Sequence, residues 1–298
     1  MKNWYATFTS DWHNTQYRDL IEQVIIEQGI TNIGRFAFYN CRALENIKIP
    51  ETVVNIESNA FEECSQLKNI TIPESITSIE GSVFKGCSSL ESIVIPKNVT
   101  RIGDNTFNEC NNLINIHVET DNDSYISENG VLYNKDKTEI IKYPARKTDE
   151  KEYTIANTVT KIHNNTFENC SSLENIEIPE SVTSIGNSVF SGCNNLKNIV
   201  IPESVTSIET FSMFKGCSSL EKVTIPESTT NIESYAFEGC SSLTNIKIPE
   251  GVTSIEYGAF EECTNLKDIN IPSKVTILEI NAFSRCSSLE SIVIPEGV

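Results

Sequence analysis

The sequence predicts a right-handed, β-rich solenoid of 23-residue coils, with parallel strand ladders and short helical or 3-10 turns. Three observations predict it. The ten cysteines lie on a ruler: Cys41, Cys64, Cys87, Cys110, Cys170, Cys193, Cys217, Cys240, Cys263 and Cys286 are 23 residues apart, save for one gap of 60 and one of 24. Phenylalanine keeps a fixed phase to them, from Phe38, Phe61, Phe84 and Phe107 to Phe167, Phe190, Phe214, Phe237, Phe260 and Phe283. A run of the form L-x-x-I-x-I, closed by proline, recurs at the same period. A fixed period in the twenties is the mark of units that cannot bury an apolar face alone and stack on their neighbours.

One coil runs from Ile178 to Val200 as I-P-E-S-V-T-S-I-G-N-S-V-F-S-G-C-N-N-L-K-N-I-V. Apolar residues stand at positions 1, 5, 8, 12, 13, 16, 19 and 22. The alternation in Leu196 to Ile201 predicts a strand with one buried face. Pro202 lacks an N–H and ends the ladder. V-T-S-I predicts a second short β piece, and the following turn carries the phenylalanine inward. A coil this short has no room for a helix of ordinary length. Stacking at the strand spacing of about 4.8 Å turns every column into a ladder.

The elements follow in order. Residues 1–20 do not repeat and hold Trp4, Trp12, Tyr5, Phe8 and Tyr17, which predicts an N-terminal cap over the first coil. An aromatic ligand cage is the alternative use of that segment. Its last part, N-T-Q-Y-R-D-L-I-E-Q-V, is the best helix candidate. Residues 21–298 form the solenoid. Ten full units occupy 26–48, 49–71, 72–94, 95–117, 155–177, 178–200, 201–224, 225–247, 248–270 and 271–293, with an incomplete last unit over 294–298. The longer unit carries its extra residue between Glu209 and Met213, in a turn, where insertions are tolerated. Residues 119–154 are an insert in which G-V-L-Y and T-E-I-I-K-Y flank a polar turn, a β-hairpin signal. Two readings stand for it: a bulge packed on the coil beneath, or a projecting recognition element offering Tyr125, Tyr133 and Tyr143 as amphipathic contact area.

Composition excludes some partners. The net charge of −18 and pI near 4.6 repel phosphate backbones and anionic lipid heads, so nucleic acid and membrane surfaces are unsuitable. No apolar run is long enough for membrane insertion, and no Sec-type signal opens the chain. All the cysteines share one column, with Cβ vectors parallel rather than facing, which predicts a reduced thiol ladder in place of disulfides. The glutamates repeating at positions 3 and 9 predict a solvated acidic edge. His13, His117 and His163 occupy unrelated positions, and no zinc-protease, phosphate-loop or nucleophile motif is present. The sequence therefore predicts no catalytic residue, no metal site and no cofactor.

The segment Cys64-Ser-Gln-Leu67-Lys-Asn-Ile70-Thr-Ile72-Pro73, followed by Ile76, Ile79 and Phe84, resembles the BspA-type (Treponema pallidum-type) leucine-rich repeat. The likeness runs from about residue 21 to the end and includes the G-V-L-Y-N-K-D stretch of the insert. It implies a non-catalytic protein-binding scaffold, adhesin-like, at the cell surface or secreted, with an extracellular-matrix or host surface protein as ligand. An intracellular scaffold, or a structural solenoid stacking end to end through its C-terminal coil, is the alternative. From the residues themselves, the binding candidate is position 23, the middle of I-x-I. It faces outward and varies where its neighbours do not: Lys48, Thr71, Val94, His117, Glu177, Val200, Thr224, Lys247, Asn270 and Val293. Either this column is a contact face or it is surface under no constraint.

Overall fold

The computed structural model describes residues 15–147, 150–205, 207, 208 and 211–298. Trp4, Trp12 and the other aromatics before Thr15 lie outside the described residues, as do two residues of the lengthened turn, Glu209 and Thr210. The helix candidate of the cap is a 3-10 helix over Thr15–Leu20, and the chain is already a strand at Gln23–Ile25. Its Arg18 is buried, and Nη1 donates to the carbonyl of Tyr39 on the first coil at 2.5 Å.

The chain makes a β-solenoid of about eleven turns with almost no helix. Two parallel ladders build it. The front ladder comes from L-x-x-I-x-I, in strands such as Ser92–Ile95 and Asn115–Val118, with Ile93 opposite Ile116 and Val94 opposite His117. The back ladder comes from the V-T-S-I piece, in two-residue strands such as Ser78–Ile79 and Arg101–Ile102. Register is one period throughout, because a slip of one residue would turn every buried isoleucine outward.

Between the ladders lie the apolar columns. Neighbouring Phe rings stack nearly parallel, with centroids 5.3 Å apart for Phe38–Phe61 and 5.2 Å for Phe237–Phe260. The tight turn that delivers each Phe needs a left-handed residue just before the cysteine. Glycine fills it at Gly86, Gly192, Gly216 and Gly239, but Glu63, Glu109, Glu262 and Arg285 hold the same conformation with a Cβ. All ten cysteines are free thiols, nine of them buried. They do more than fill space. Cys193 Sγ donates to the carbonyl of Phe167 at 3.1 Å, and Cys217 to that of Phe190 at 3.0 Å, one coil back in each case. Each thiol is thus a second donor to a Phe carbonyl that already accepts from the N–H of its own coil's cysteine, as Phe167 does from Cys170 at 3.1 Å and Phe190 from Cys193 at 3.1 Å.

The insert does not project; it packs on the coil beneath it. It supplies the eleventh coil, with a hairpin added. Strands Tyr125–Glu128 and Val131–Asn134 pair antiparallel, as do Val131–Asn134 and Glu139–Lys142, and Glu139–Lys142 then joins the back ladder parallel to Lys161–Ile162. Glu152–Thr154 joins the front ladder beside Asn175–Glu177. Tyr143 takes the phenylalanine place, 5.3 Å from the Phe167 ring, and its carbonyl accepts from Cys170 at 3.9 Å. Asn122 stands in the column of valine at position 5. It is fully buried, yet satisfied: Nδ2 donates to the carbonyls of Pro96 (2.8 Å) and Val99 (3.0 Å), while Oδ1 accepts from the N–H groups of Ser124 and Tyr125. The hairpin closes the front edge of the preceding coil, where Ile116 N–H reaches the Gly130 carbonyl and Val118 N–H reaches Ser127 Oγ, each at 3.0 Å. An edge so covered cannot pair with another chain.

Candidate binding surface

The front ladder is the first surface to weigh. The alternation that buries Ile93, Ile116, Ile176 and Ile199 must turn the residues between them outward. The structure bears this out: Lys48, Thr71, Val94, His117, Glu177, Val200, Thr224, Lys247, Asn270 and Val293 are all exposed. They line up by register, with Val94 beside His117, Val200 beside Thr224 and Asn270 bridged to Val293. Val200 at 61% and Val293 at 79% exposure are apolar groups held in solvent. The column is broken once, at the insert, where Thr154 takes the position and donates to Glu177 at 3.1 Å.

Beside this column the sequence carries a charge pattern. Position 20 alternates in sign over Glu45, Lys68 and Glu91 and again over Lys151, Glu174, Lys197 and Glu221, with uncharged Ile114 and Thr244 interrupting the column. Lys151 and Lys197 both pair with Glu174, at 2.7 and 2.6 Å. Hydrogen bonds from those two lysines hold the Glu174 carboxyl down at about 2. Stacking unlike charges at one period avoids the like-charge column that a strict repeat would impose.

Two of the three insert tyrosines are not available to a partner. Tyr133 and Tyr143 are buried, and Tyr125 is only partly exposed with its hydroxyl accepting from Ile102 N–H at 2.9 Å. The expectation that they offer contact area is therefore corrected for Tyr133 and Tyr143. The Tyr143 ring is needed inside because the insert coil must continue the aromatic ladder, and Tyr133 packs into the same core. Tyr133 and Tyr153 share a hydroxyl–hydroxyl bond there. Burial pushes the phenols of Tyr133, Tyr143 and Tyr153 up.

Where the insert parts the coils, an open cleft of about 240 Å³ forms, lined by Asp104, Asn105, Tyr125, Glu139, Lys142 and His163 among others. Here the structure gathers titratable groups that look scattered in sequence. His163 Nε2 lies 2.5 Å from Glu139 Oε2, and Lys161 Nζ is 3.6 Å from the same oxygen. The hydrogen bond from His163 is the main cause that lowers the Glu139 pKa. Lys142 is buried, donating to the Asn165 carbonyl at 2.7 Å. Sequence could not show this because Glu139 and Lys142 belong to the insert. His163, Glu139, Lys161 and Lys142 are each engaged with one of these partners. The thiols are no better placed: burial pushes Cys41 and Cys286 up to about 11 and Cys110 and Cys193 to about 12, which suppresses the reactive thiolate. Among the described residues no group of His, Cys, Asp and Glu is arranged to hold a metal ion, and no helix is long and apolar enough to cross a membrane.

The BspA type leucine-rich repeat region matches the chain in six copies, over residues 14–139, 138–213 and 211–298. The chain belongs to the BspA-type leucine-rich repeat family. Solved structures of bacterial leucine-rich repeat proteins agree. One from Eubacterium ventriosum is 27% identical, covers 97% of this chain and 89% of its own, and superposes with a TM-score of 0.72. A leucine-rich cell surface protein from Faecalibacterium prausnitzii is 30% identical over 90% of this chain and 77% of its own, with a TM-score of 0.62. The pneumococcal vaccine antigen PcpA shares the fold at 21% identity, TM-score 0.57, over 93% of this chain and 83% of its own. No curated protein matches the sequence. This repeat architecture is consistent with a protein-binding scaffold, and the fold alone names no partner.

Proposed function

We propose that this BspA-type chain is a non-catalytic protein-binding scaffold, adhesin-like, displayed at a cell surface or secreted, and that it recognises host or neighbouring-cell proteins through the outward face of its front ladder. One observation carries the reading. Around Val94, His117, Glu177, Val200, Thr224, Lys247 and Asn270 the scaffold repeats almost without change, while these exposed, aligned positions differ from coil to coil. A rigid strand ladder holds such side chains at fixed spacing, which lowers the ordering cost of contact. The description of the Faecalibacterium relative as a cell surface protein supports the location. The nine buried thiols do not argue for a reducing compartment, because buried, protonated sulfurs oxidise poorly wherever the protein resides.

The test is a binding screen at physiological salt against matrix, plasma and cell-surface proteins. Wild type is compared with a face variant, Val94→Thr, His117→Thr and Val200→Thr. Threonine keeps strand preference, so both should melt alike. A partner bound by wild type and lost at least tenfold in the variant is expected. A partner retained undiminished moves the site off this face. Binding of no protein at micromolar concentration, or only concentration-dependent association of the chain with itself, overturns the adhesin reading in favour of a scaffold or a self-stacking solenoid.

A further inference from the structure

A second surface lies on a different side of the coil, in the turn between the back ladder and the buried phenylalanine. At the two places that open this turn, most coils carry small or polar pairs: Ser58-Asn59, Gly81-Ser82, Asp104-Asn105, Asn164-Asn165 and Asn187-Ser188. Four successive coils in the second half depart from that rule with Phe211, Tyr235, Tyr257 and Ile280. The backbone stacks them one above another: Tyr235 N–H donates to the Tyr257 carbonyl at 3.0 Å, and Gly258 N–H to the Ile280 carbonyl at 3.1 Å.

Their rings meet edge to face, at 6.0 Å and 89° for Phe211–Tyr235 and at 5.2 Å and 74° for Tyr235–Tyr257. Phe211 remains 49% exposed, Tyr257 37% and Ile280 70%. A turn column made apolar over four coils, left in solvent and serving no core, is the kind of patch that marks an interaction site. The folding of this scaffold does not need it, since five other coils close the same turn with small or polar residues; the first coil, with Arg35-Phe36, carries a single isolated aromatic there.

The surroundings choose the occupant. Position 9, the residue immediately before this turn, is glutamate in three of the same coils: Glu233, Glu256 and Glu279. Glu261 reaches the Gly258 turn beside Tyr235. One cation already sits on the stripe, Lys215 Nζ, 4.8 Å above the Tyr235 ring and paired with Glu238 at 2.8 Å. That contact shows the stripe's own preference: an ammonium or guanidinium over a ring face with a carboxylate behind it. The perpendicular rings present no flat platform for a sugar face, and a second copy of this chain would bring its own net charge of −18 against the same carboxylates.

We infer that the Phe211–Tyr235–Tyr257–Ile280 stripe is a docking site for a cationic, apolar protein segment, in which arginine or lysine lies over the rings and aliphatic or aromatic side chains cover Ile280.

The probe is a short synthetic peptide alternating arginine with leucine and phenylalanine. Its control has glutamate in place of arginine. Binding to the full chain is read by calorimetry and by tyrosine-ring chemical shifts. One variant carries Phe211→Ser, Tyr257→Ser and Ile280→Asn, residue types that other coils use in this turn. A second carries Glu256→Gln and Glu279→Gln, and covers the case in which the first fails to fold. The arginine peptide is expected to bind wild type with shifts at Tyr235 and Tyr257. Binding should weaken at least tenfold in either variant, weaken as salt is raised, and be unaffected by the front-face substitutions. The idea is overturned if the glutamate peptide binds equally, if the arginine peptide binds both variants as it binds wild type, if the shifts fall elsewhere, or if the stripe variant instead abolishes self-association of the wild-type chain.

Discussion

Alkaline pH should unfold this protein unusually steeply, and the thiol column is the reason. A thiol is neutral when protonated, and burial disfavours the thiolate. Each folded-state pKa is therefore raised, to about 11 for Cys41 and about 12 for Cys110 and Cys193. Their stabilisation is complete below the unfolded value of about 8.5, and is lost as pH rises through it toward the folded value. Well above the unfolded pKa, each buried thiol removes about 1.4 kcal/mol of stability per pH unit. The first apolar core contains Cys41, Cys64, Cys87 and Cys110, and the second Cys170, Cys193, Cys217, Cys240 and Cys263. Four thiols then remove roughly 8 kcal/mol by about pH 10, and five roughly 10 kcal/mol, which matches or exceeds the whole stability of an ordinary domain. The assay is urea unfolding followed by circular dichroism between neutral pH and about pH 10, with a non-thiol reductant present. The midpoint should fall steeply, and Cys64→Ala with Cys87→Ala should reduce the proton count of that slope by about two. A midpoint constant across this range, or thiolate absorbance rising in the folded protein near pH 9, would refute the buried neutral ladder.

Two other perturbations test the insert coil. Asn122→Ala removes a buried side chain that satisfies two carbonyls and two N–H groups, so it should cost about 3 kcal/mol or more and lower the urea midpoint, whereas an exposed asparagine of the front ladder such as Asn198 should tolerate alanine within about 0.5 kcal/mol. Tyr143→Phe keeps the ring in the aromatic ladder and should change stability by less than about 1.5 kcal/mol, while Tyr143→Ala opens a cavity worth about 3–5 kcal/mol; equal losses for the two would mean that the hydroxyl's 3.4 Å contact with Glu150, not ring packing, holds the residue.

The repeating coils were legible in the sequence because one period fixes every column at once. Phe, Cys, Leu and Ile at fixed offsets place the core, and the alternation around position 23 places the exposed face. The role of cysteine as a donor was not legible, since a small apolar residue and a thiol aimed at a carbonyl give the same pattern until the carbonyl's position is known. The insert coil was misread because it satisfies the same physical needs with other residues. Tyr143 stands where Phe is expected, Asn122 where Val is expected, and Tyr153 where Ile is expected, so the phase was lost and their aromatic rings looked like surface. The cleft around His163 went unseen for the same reason, as its partner Glu139 is supplied by that coil. The exposed stripe at Phe211, Tyr235, Tyr257 and Ile280 left a trace: these positions break a small or polar column, but the phase shift in the longer unit hides the first of them.

The hairpin also determines how the molecule comes apart. Its strand Val131–Asn134 is a wall between two cores: Leu132 packs into the first, and Val131 and Tyr133 into the second. Within each core the Phe rings stack from coil to coil, and most neighbouring coils are joined by strand pairing as well. Across the wall the Phe ladder stops at Phe107, and the turns of the flanking coils are tied by side chains, Asn165 to Asn105 at 3.2 Å and Asn169 to Asn111 at 2.8 Å. In a solenoid, stability is a sum of coil terms and nearest-neighbour terms, so the weakest neighbour term sets where cooperativity breaks. The joint at the insert is that place. Urea unfolding should therefore be read as two transitions, with amide exchange in Asn46–Lys48 and Ser92–Ile95 following one and exchange in Asn198–Val200 and Lys222–Thr224 following the other. Replacing Asn105 and Asn111 with alanine should widen the gap between them. A single transition, with all four strands exchanging at one free energy, would mean that the hairpin transmits packing as well as an ordinary coil does.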